Sequence, residues 1–508
     1  MFALVPEFIA EKARHGRNAG RLAASSLSVD ISGFTHLTES LVRHGKGGAE
    51  VLAGALRTVF APLIADVYRQ GGFVANFVGD GFTALFPHAH DEDRMRLQAL
   101  AAAWSICKQA ANRVLIATPF GEFRFPIKAV LAEGMVDWTI WKSERIWGEQ
   151  SAAFLFTGDG ITDCMSGDAV AQPGEVVLSA LAAQSLRRLL GEQAQLVSLG
   201  GPQPRFRLAG LSGTLPEPGK LPSKAKLDSA PFYSQSQFDS RSPGEFRPTL
   251  SMFLHLKQAP HAQFMEKMFQ VLALYDGYLC RLDPHPLPES GPRLVLFWGA
   301  PTSHERDVER GLDFILDLRR AGGIPLRTGI TYEVAFSGFV GAPQRQEFTC
   351  YGSRVNLAAR QMDAAGWDEI WLDEQTVSRV SPAFETETPF ERRFKGFSQP
   401  RPIYRLVGRR EVRLAPKYPG RLVGRESALS DLQTALLPVL DGRFAGVITL
   451  RGETGSGKSR LAHTLLHTWP GAQACQVFVA QSDEVVSRSL GPLRTLLRRR
   501  FGLLNMQD

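Results

Sequence analysis

The chain has 508 residues, enough for roughly three domains, and 44% of them are hydrophobic, enough for several buried cores. A net charge of +7 is small for this length and gives no reason to expect a nucleic-acid binder; the basic run Arg498–Arg500 reads as a solvated helix face. Five cysteines without close pairing exclude a disulfide framework or a zinc site, no apolar stretch approaches the ~20 residues of a membrane span, and the N-terminus lacks a signal-peptide pattern, so a cytoplasmic protein is expected.

In chain order, residues 22–31 read as a strand and roughly 34–70 as one long helix. Two short strands near 73–77 and 82–86 flank a turn, and a helix near 91–115 opens on the acidic run Asp91-Glu92-Asp93, which suits a helix N-terminus. A strand near 126–133 comes next, then the run Phe154-Leu155-Phe156-Thr157-Gly158. The same order recurs with decay. It runs through a strand at 249–256, a helix at 260–276, a hairpin strand at Leu294–Phe297 and a helix opened by residues 303–307. A strand at 325–333 and the run Phe348-Thr349-Cys350-Tyr351-Gly352 complete it. Strand, helix, hairpin, helix, strand is the ferredoxin-like arrangement, and two copies in one chain can pair about a pseudo-twofold axis. The fold expected is therefore α/β (α+β): residues 1–210 as the first copy, 248–408 as the second, then a linker at 409–420 and a third region at 421–508. Residues 211–247, rich in Pro, Ser and Gly, are expected to wrap over the surface as a linker.

The two copies have kept different side chains. The first carries Asp30 in Val29-Asp30-Ile31-Ser32-Gly33-Phe34-Thr35 and Asp80 in Val78-Gly79-Asp80-Gly81-Phe82. The second carries Asn356 and Arg360, four residues apart in Gly352-Ser353-Arg354-Val355-Asn356-Leu357-Ala358-Ala359-Arg360. Anchoring on Gly158 and Gly352 sets Thr162 opposite Asn356 and Ser166 opposite Arg360; anchoring on the first strands sets His255 near Asp30. Paired carboxylates bind a divalent cation, and an amide and a guanidinium one turn apart can face a nucleotide. Taken singly, Asp30 reads as a cap, Asp80 as a hairpin turn and the Asn/Arg pair as a solvated helix face. Their joint occurrence points to one working site at the interface.

These motifs resemble the class III nucleotidyl cyclases, in particular the soluble adenylyl cyclase type with tandem catalytic domains followed by a P-loop region. The resemblance implies Asp30 and Asp80, with the Ile31 carbonyl, as ligands of two Mg²⁺ (or Mn²⁺) ions. It implies Asn356 as the ribose-orienting residue, Arg360 as the transition-state charge, and Gly33, Phe34, Thr35 and Thr349 as substrate contacts. Two metals would lower the 3′-hydroxyl pKa and neutralise the leaving pyrophosphate. Thr349, at the purine-reading position, favours ATP as substrate. The companion Lys of adenylyl enzymes is missing; Arg281 or Arg293 is the candidate substitute, and Glu289 leaves GTP open. Asn76 stands where bicarbonate-responsive relatives carry Lys, so direct bicarbonate activation is not expected.

Gly452-Glu453-Thr454-Gly455-Ser456-Gly457-Lys458-Ser459 is a P-loop pattern between an expected strand at 446–450 and an apolar-periodic helix. In such a loop Gly452, Gly455 and Gly457 cradle phosphates, Lys458 reaches the β/γ phosphates and Ser459 binds Mg²⁺, which makes a second nucleotide possible. Residues 421–426 look like the opening of STAND-type signalling NTPases, with an unknown protein partner as the corollary. Only 49 residues follow Ser459 and no Walker B strand is visible; Val477–Ala480 ends in Gln481. The chain is thus a fragment of a longer protein or the domain is truncated, and hydrolysis by this region is not expected. A catalytically inactive, cyclase-like scaffold is the other reading left open.

Overall fold

The computed structural model describes residues 3–88, 91–113, 115–143, 150–201, 203–222, 232–233, 244–287, 289–304, 306–380, 384–395, 397, 399–409, 422–452, 456–473 and 475. Two compact units result, Met1–Gly408 and Arg409–Asp508.

The first copy runs β1 (Ala19–Ile31), α1 (Phe34–Leu41), α2 (Gly45–Arg69), β2 (Phe73–Val78), β3 (Gly81–Pro87), α3 (Glu92–Arg113), β4 (Ile127–Lys142), β5 (Ala152–Thr157), α4 (Asp159–Gly167) and β6 (Val176–Ser179). The second runs β7 (Gly244–Leu256), α5 (Ala262–Leu274), β8 (Tyr278–Asp283), β9 (Arg293–Trp298), α6 (Asp307–Ala321), β10 (Leu326–Ala342), β11 (Arg345–Tyr351), α7 (Ser353–Ala364) and β12 (Ile370–Asp373). Strand order is β2-β3-β1-β4-β6 in one sheet and β8-β9-β7-β10-β12 in the other, with β5 on β4 and β11 on β10. The repeat read from the sequence is therefore a repeat of topology, with both sheets built on the ferredoxin-like order.

Three expectations change. The helix expected over 34–70 is two helices joined by a 3₁₀ turn at Val42–His44. Gly45 takes φ +52°, and a Cβ on Gly48 would stand 2.1 Å from the Leu41 carbonyl oxygen, so the break depends on glycine at close approach. The stretch His36–Arg69 is also long and apolar enough by composition to cross a bilayer, contrary to the sequence reading. Half of its most apolar window is buried, and Leu52, Leu56, Phe60 and Ile64 lie in the first copy's core. Finally, the linker does not only wrap the surface: Phe232 and Tyr233 are buried, with Phe232 against Phe154 (centroids 5.9 Å apart). Two adjacent aromatics carry too much apolar area to stay in water when a groove is at hand.

The copies exchange arms. Phe336, Val340 and Ala342 of β10, and Tyr351 at the end of β11, belong to the core that α2 and the first sheet enclose. Reciprocally, Ala153 and Leu155 of β5 lie in the second copy's core, with Trp141 packed against it. Each core is thus completed by its partner copy. Phe336→Ala should lower unfolding free energy by about 3–5 kcal/mol, as for a buried Phe, and should keep a single unfolding transition. Chemical denaturation checks this; a transition confined to residues 244–408 would show that the cores are independent.

In the second unit, α8 (Lys458–Thr468) follows Gly457, whose φ of +88° forms the turn into the helix. Residues 446–450 form no strand, and Val447 is 88% exposed, because no described segment offers them a ladder partner. Gly455 and the segments 477–481 and 498–500 lie outside the described residues, as do the side chains of Thr35 and Ser459.

Candidate active site

Strand register builds the carboxylate pair. Asp30 is the penultimate residue of β1, and Asp80 stands in the Gly79–Asp80 turn between β2 and β3. The pairing of Val29 with Phe82 lays that turn beside the end of β1. A Cβ on Gly81 would lie 2.1 Å from the Val29 oxygen and 3.1 Å from the Asp30 Cα, so glycine here is what lets the two acids meet. Burial and the charge of Asp30 push the Asp80 carboxyl up to about 7. Asp30 is also raised, by burial and by Asp168, and is held down by Lys128, whose Nζ lies 3.5 Å from its Oδ2. The same ammonium is 3.1 Å from Asp168 Oδ1. Two half-buried acids with so little cation beside them fit a divalent metal, which would supply the missing positive charge.

The second copy reaches this turn directly. Tyr351 donates its hydroxyl to the Gly79 carbonyl at 3.3 Å, and its ring is 6.2 Å from that of Phe34. Gly352 then turns the chain into α7, which carries Asn356 and Arg360 one turn apart, both partly exposed. Arg360 makes neither hydrogen bond nor ion pair with Asp30 or Asp80; its guanidinium carbon stands 5.8 Å from the Phe397 ring centroid. Phe34 is fully buried, so only its backbone could meet a substrate. Gly33, at φ +112°, leads into α1, and the carbonyl of Ile31, whose side chain is buried, stays at the end of the β1–β4 ladder.

The surroundings of Thr349 are more polar than the sequence alone conveys. Arg281 lies with Nη1 3.5 Å from Thr349 Oγ1 and 3.0 Å from Glu347, and with Nε 2.9 Å from Asp283. Burial holds both carboxyls above the ordinary carboxylate range, against the opposing pull of Arg281. Arg293 instead pairs with Asp363 at 3.0 Å. Of the two substitutes for the missing Lys, Arg281 is the one beside Thr349. Cys350 is buried, with its Sγ 3.3 Å from Ser337 Oγ. Lys128, Glu347 and Tyr351 carry no sequence signal of their own, since each acquires its part only through register or the exchanged arm.

The symmetry-related position is filled by satisfied side chains. His255 occupies the penultimate place of β7 as Asp30 does in β1, with Arg327 opposite where Lys128 faces Asp30. Its Nδ1 accepts from Arg327 Nε at 3.1 Å, and its Nε2 lies 3.0 Å from Ser290 Oγ. Asp80 finds its counterpart in Pro292, two residues before the strand residue paired with β7. Thr162 bonds back to the Gly158 carbonyl, and Ser166 accepts from Arg205.

Residues 421–506 match the AAA ATPase domain family. The chain is 23% identical to adenylate cyclase type 10 of Mus musculus, over 85% of this chain and 30% of that protein. The protein of the same name from Oryctolagus cuniculus is 22% identical over 94% of this chain and 32% of its own length. The resemblance is to the soluble adenylyl cyclase type. The chain spans under a third of the length of these relatives. Among solved structures, a class III adenylyl cyclase-like ATP-binding protein from Pseudomonas aeruginosa aligns over 72% of this chain and 86% of its own, with 11% identity and a TM-score of 0.46. The adenylyl cyclase CyaB from P. aeruginosa aligns over 33% of this chain and 97% of its own, with 21% identity and a TM-score of 0.28.

Burial, followed by His285, Arg327 and Arg293, holds the His255 imidazole down to about 3 from an ordinary 6.5. A depressed histidine favours the fold above its unfolded pKa and loses that contribution as pH falls towards its folded one. From pH 6.5 to 5 it should remove about 2 kcal/mol of stability. His255→Gln should flatten the acid limb of the stability profile by that amount, and equal slopes in variant and parent would contradict the reading.

Proposed function

We propose that this chain is a nucleotidyl cyclase that converts ATP to 3′,5′-cyclic AMP and pyrophosphate at a single site between its two cyclase copies. One observation carries the proposal: the Asp80 turn of the first copy is hydrogen-bonded by Tyr351, directly before the helix that holds Asn356 and Arg360. The symmetric position offers His255, Pro292, Thr162 and Ser166, a set without an acid pair.

Asp30 and Asp80, with the Ile31 carbonyl, would hold two Mg²⁺ or Mn²⁺ ions. When bound, these would acidify the ribose 3′-hydroxyl and neutralise charge on the triphosphate. The chain's own residues would do the rest. Backbone N–H groups after Gly33, at the start of α1, would donate to phosphate oxygens, with Phe34 held in place by the core and Thr35 beside it. Asn356 would fix the ribose so that its 3′-oxygen faces the α-phosphorus; the 3′-O–P bond forms as the bond to pyrophosphate breaks, and the hydroxyl proton passes to water. Arg360 would leave Phe397 to meet the charge that develops on the phosphorane. Thr349 and Arg281 would read the adenine. Glu347, an acceptor beside Thr349, favours a second reading with GTP. In the AAA-type region, Gly452, Gly455, Gly457, Lys458 and Ser459 would bind a second nucleotide, with an unidentified protein partner for the region as a whole. Lys458 Nζ donates to the Gly452 carbonyl at 2.8 Å, a bond that phosphate would replace.

Cyclic nucleotide formation from ATP and GTP in parallel, in Mg²⁺ and in Mn²⁺, tests the proposal and separates it from an inactive scaffold. Asp80→Ala or Asp30→Ala should abolish product while thermal stability holds, since the equivalent positions of the second copy are His255 and Pro292, neither of them an acid. Retention of more than a few per cent of activity, on the order of what contaminating enzyme gives, would put the metal site elsewhere.

Arg360→Ala should lower kcat by about 10²–10³-fold and leave KM nearly unchanged, because the charge it meets exists only in the transition state. A higher KM at constant kcat would make Arg360 a ground-state clamp.

A further inference from the structure

We propose that Tyr233, in the segment between the copies, and Gln150, in the first copy, are positioning residues that aim Arg281 at the nucleotide base. The inference rests on the reading of Arg281 and Thr349 as the base-reading pair.

The β8–β9 ladder is irregular at the residue before Arg281. Leu279 pairs with Leu296 and Arg281 with Val295, so Cys280 is an extra residue, a β-bulge. A bulge turns two successive side chains towards one face and re-aims the second. Both effects are seen here: Cys280 Sγ lies 3.6 Å from Thr349 Oγ1 and 3.6 Å from Glu347 Oε1, and Arg281 reaches the same two residues. The bulge also takes backbone groups out of the ladder, and these are buried.

Their partners come from outside the second copy. Tyr233 donates its hydroxyl to the Cys280 carbonyl at 3.1 Å. Gln150 clamps the preceding residue from both sides, donating Nε2 to the Leu279 carbonyl at 2.7 Å and accepting the Leu279 N–H at 3.1 Å. Both side chains are buried, Gln150 at 6% and Tyr233 at 5% exposure. Phe232 anchors the tyrosine by packing on Phe154, and the Tyr233 ring is 6.2 Å from that of Tyr278. Tyr278 in turn donates to the Phe348 carbonyl at 3.0 Å, next to Thr349. The β8 strand that carries Arg281 is thus held on one side by β11 and on the other by the linker and the first copy.

The first copy carries the matching bulge, at Ala75 between Val74 and Asn76 in the β2–β3 ladder. Asn76 holds the place that Arg281 holds in the second copy, and its amide donates to the Leu282 carbonyl at 3.5 Å. The bulge recurs in both copies, and in the second it is held from outside that copy, at Cys280 by Tyr233 of the linker and at Leu279 by Gln150 of the first copy.

The test is kcat/KM for cyclic AMP and cyclic GMP formation by the full chain and its Tyr233→Phe, Gln150→Ala and Arg281→Ala variants. Tyr233→Phe removes one hydroxyl and leaves the ring, so the fold should survive; Gln150→Ala tests the clamp from the other side. Tyr233→Phe should move the ATP/GTP ratio of kcat/KM about fivefold towards one, the worth of one hydrogen bond, and Gln150→Ala, which removes two, at least as far. The change should fall on KM, with kcat for the better substrate altered less than about twofold. Arg281→Ala should move the ratio further in the same direction. An unchanged ratio in both Tyr233→Phe and Gln150→Ala, beside a changed one in Arg281→Ala, overturns the inference alone. A uniform loss of kcat for both nucleotides in those two variants also overturns it, since that is what a merely structural role gives. An unchanged ratio in Arg281→Ala overturns the base-reading assignment, and the inference with it.

Discussion

The exchange of arms between the two cores is the constraint on which the rest of the cyclase unit depends. Phe336 and Val340 are second-copy residues, yet they are buried in the first copy's core, and Leu155 is buried in the second's. Neither sheet can bury its apolar face without the other. This fixes the relation between the copies more tightly than a surface contact would, because core packing tolerates little displacement. Tyr351 carries that constraint into the site. It ends the arm strand, belongs to the first copy's core, and hydrogen-bonds the turn that holds Asp80. The hydrophobic packing that stabilises the fold also registers β11 against the turn that holds Asp80.

A symmetric frame then carries asymmetric chemistry. Strand order, the bulge before Asn76 and Arg281, and the penultimate position of Asp30 and His255 recur in both copies. What differs is charge. The first copy sets an acid pair at its strand ends. The second sets an imidazole there, accepting from one neighbour and bonded to a serine. A buried polar side chain that keeps its partners costs the fold little, whereas one without them costs about 1–3 kcal/mol. His255, with Arg327 and Ser290 as its partners, therefore fits the same frame at little cost and places no acid at that position.

The repeat and the fold class were legible because hydrophobic periodicity and glycine-anchored runs survive in both copies. Asp30, Asp80, Asn356 and Arg360 were legible as motifs. Arg281 could be named only as one of two candidates, since the choice against Arg293 depends on a strand register that no spacing reveals. Lys128 was invisible for the same reason: it faces Asp30 only because β1 and β4 pair at that offset. The helix break at residues 42–45 was hidden by apolar periodicity on both sides of it, although Gly45, Gly47 and Gly48 marked the place. Phe232 and Tyr233 carried a signal that composition overrode. Two aromatics in a Pro/Ser/Gly-rich stretch are out of character for a solvated linker, and they are the residues that go inside.

The carboxylates of the first copy are short of positive charge. Lys128 divides its ammonium between Asp30 and Asp168, so the Asp30–Asp80 pair has less than one full positive charge to itself. Half-burial weakens the help that water can give. The consequence is read in Asp80, whose carboxyl titrates near neutral pH. Charge is balanced differently around Arg281, whose guanidinium sits between Asp283 and Glu347. On the proposed function, a nucleoside triphosphate with its cations would add positive charge where the acids lack it and a polar base where charge is balanced. The acid pair thus belongs to the first copy and the balanced guanidinium to the second, and the exchanged arms fix the two copies against each other.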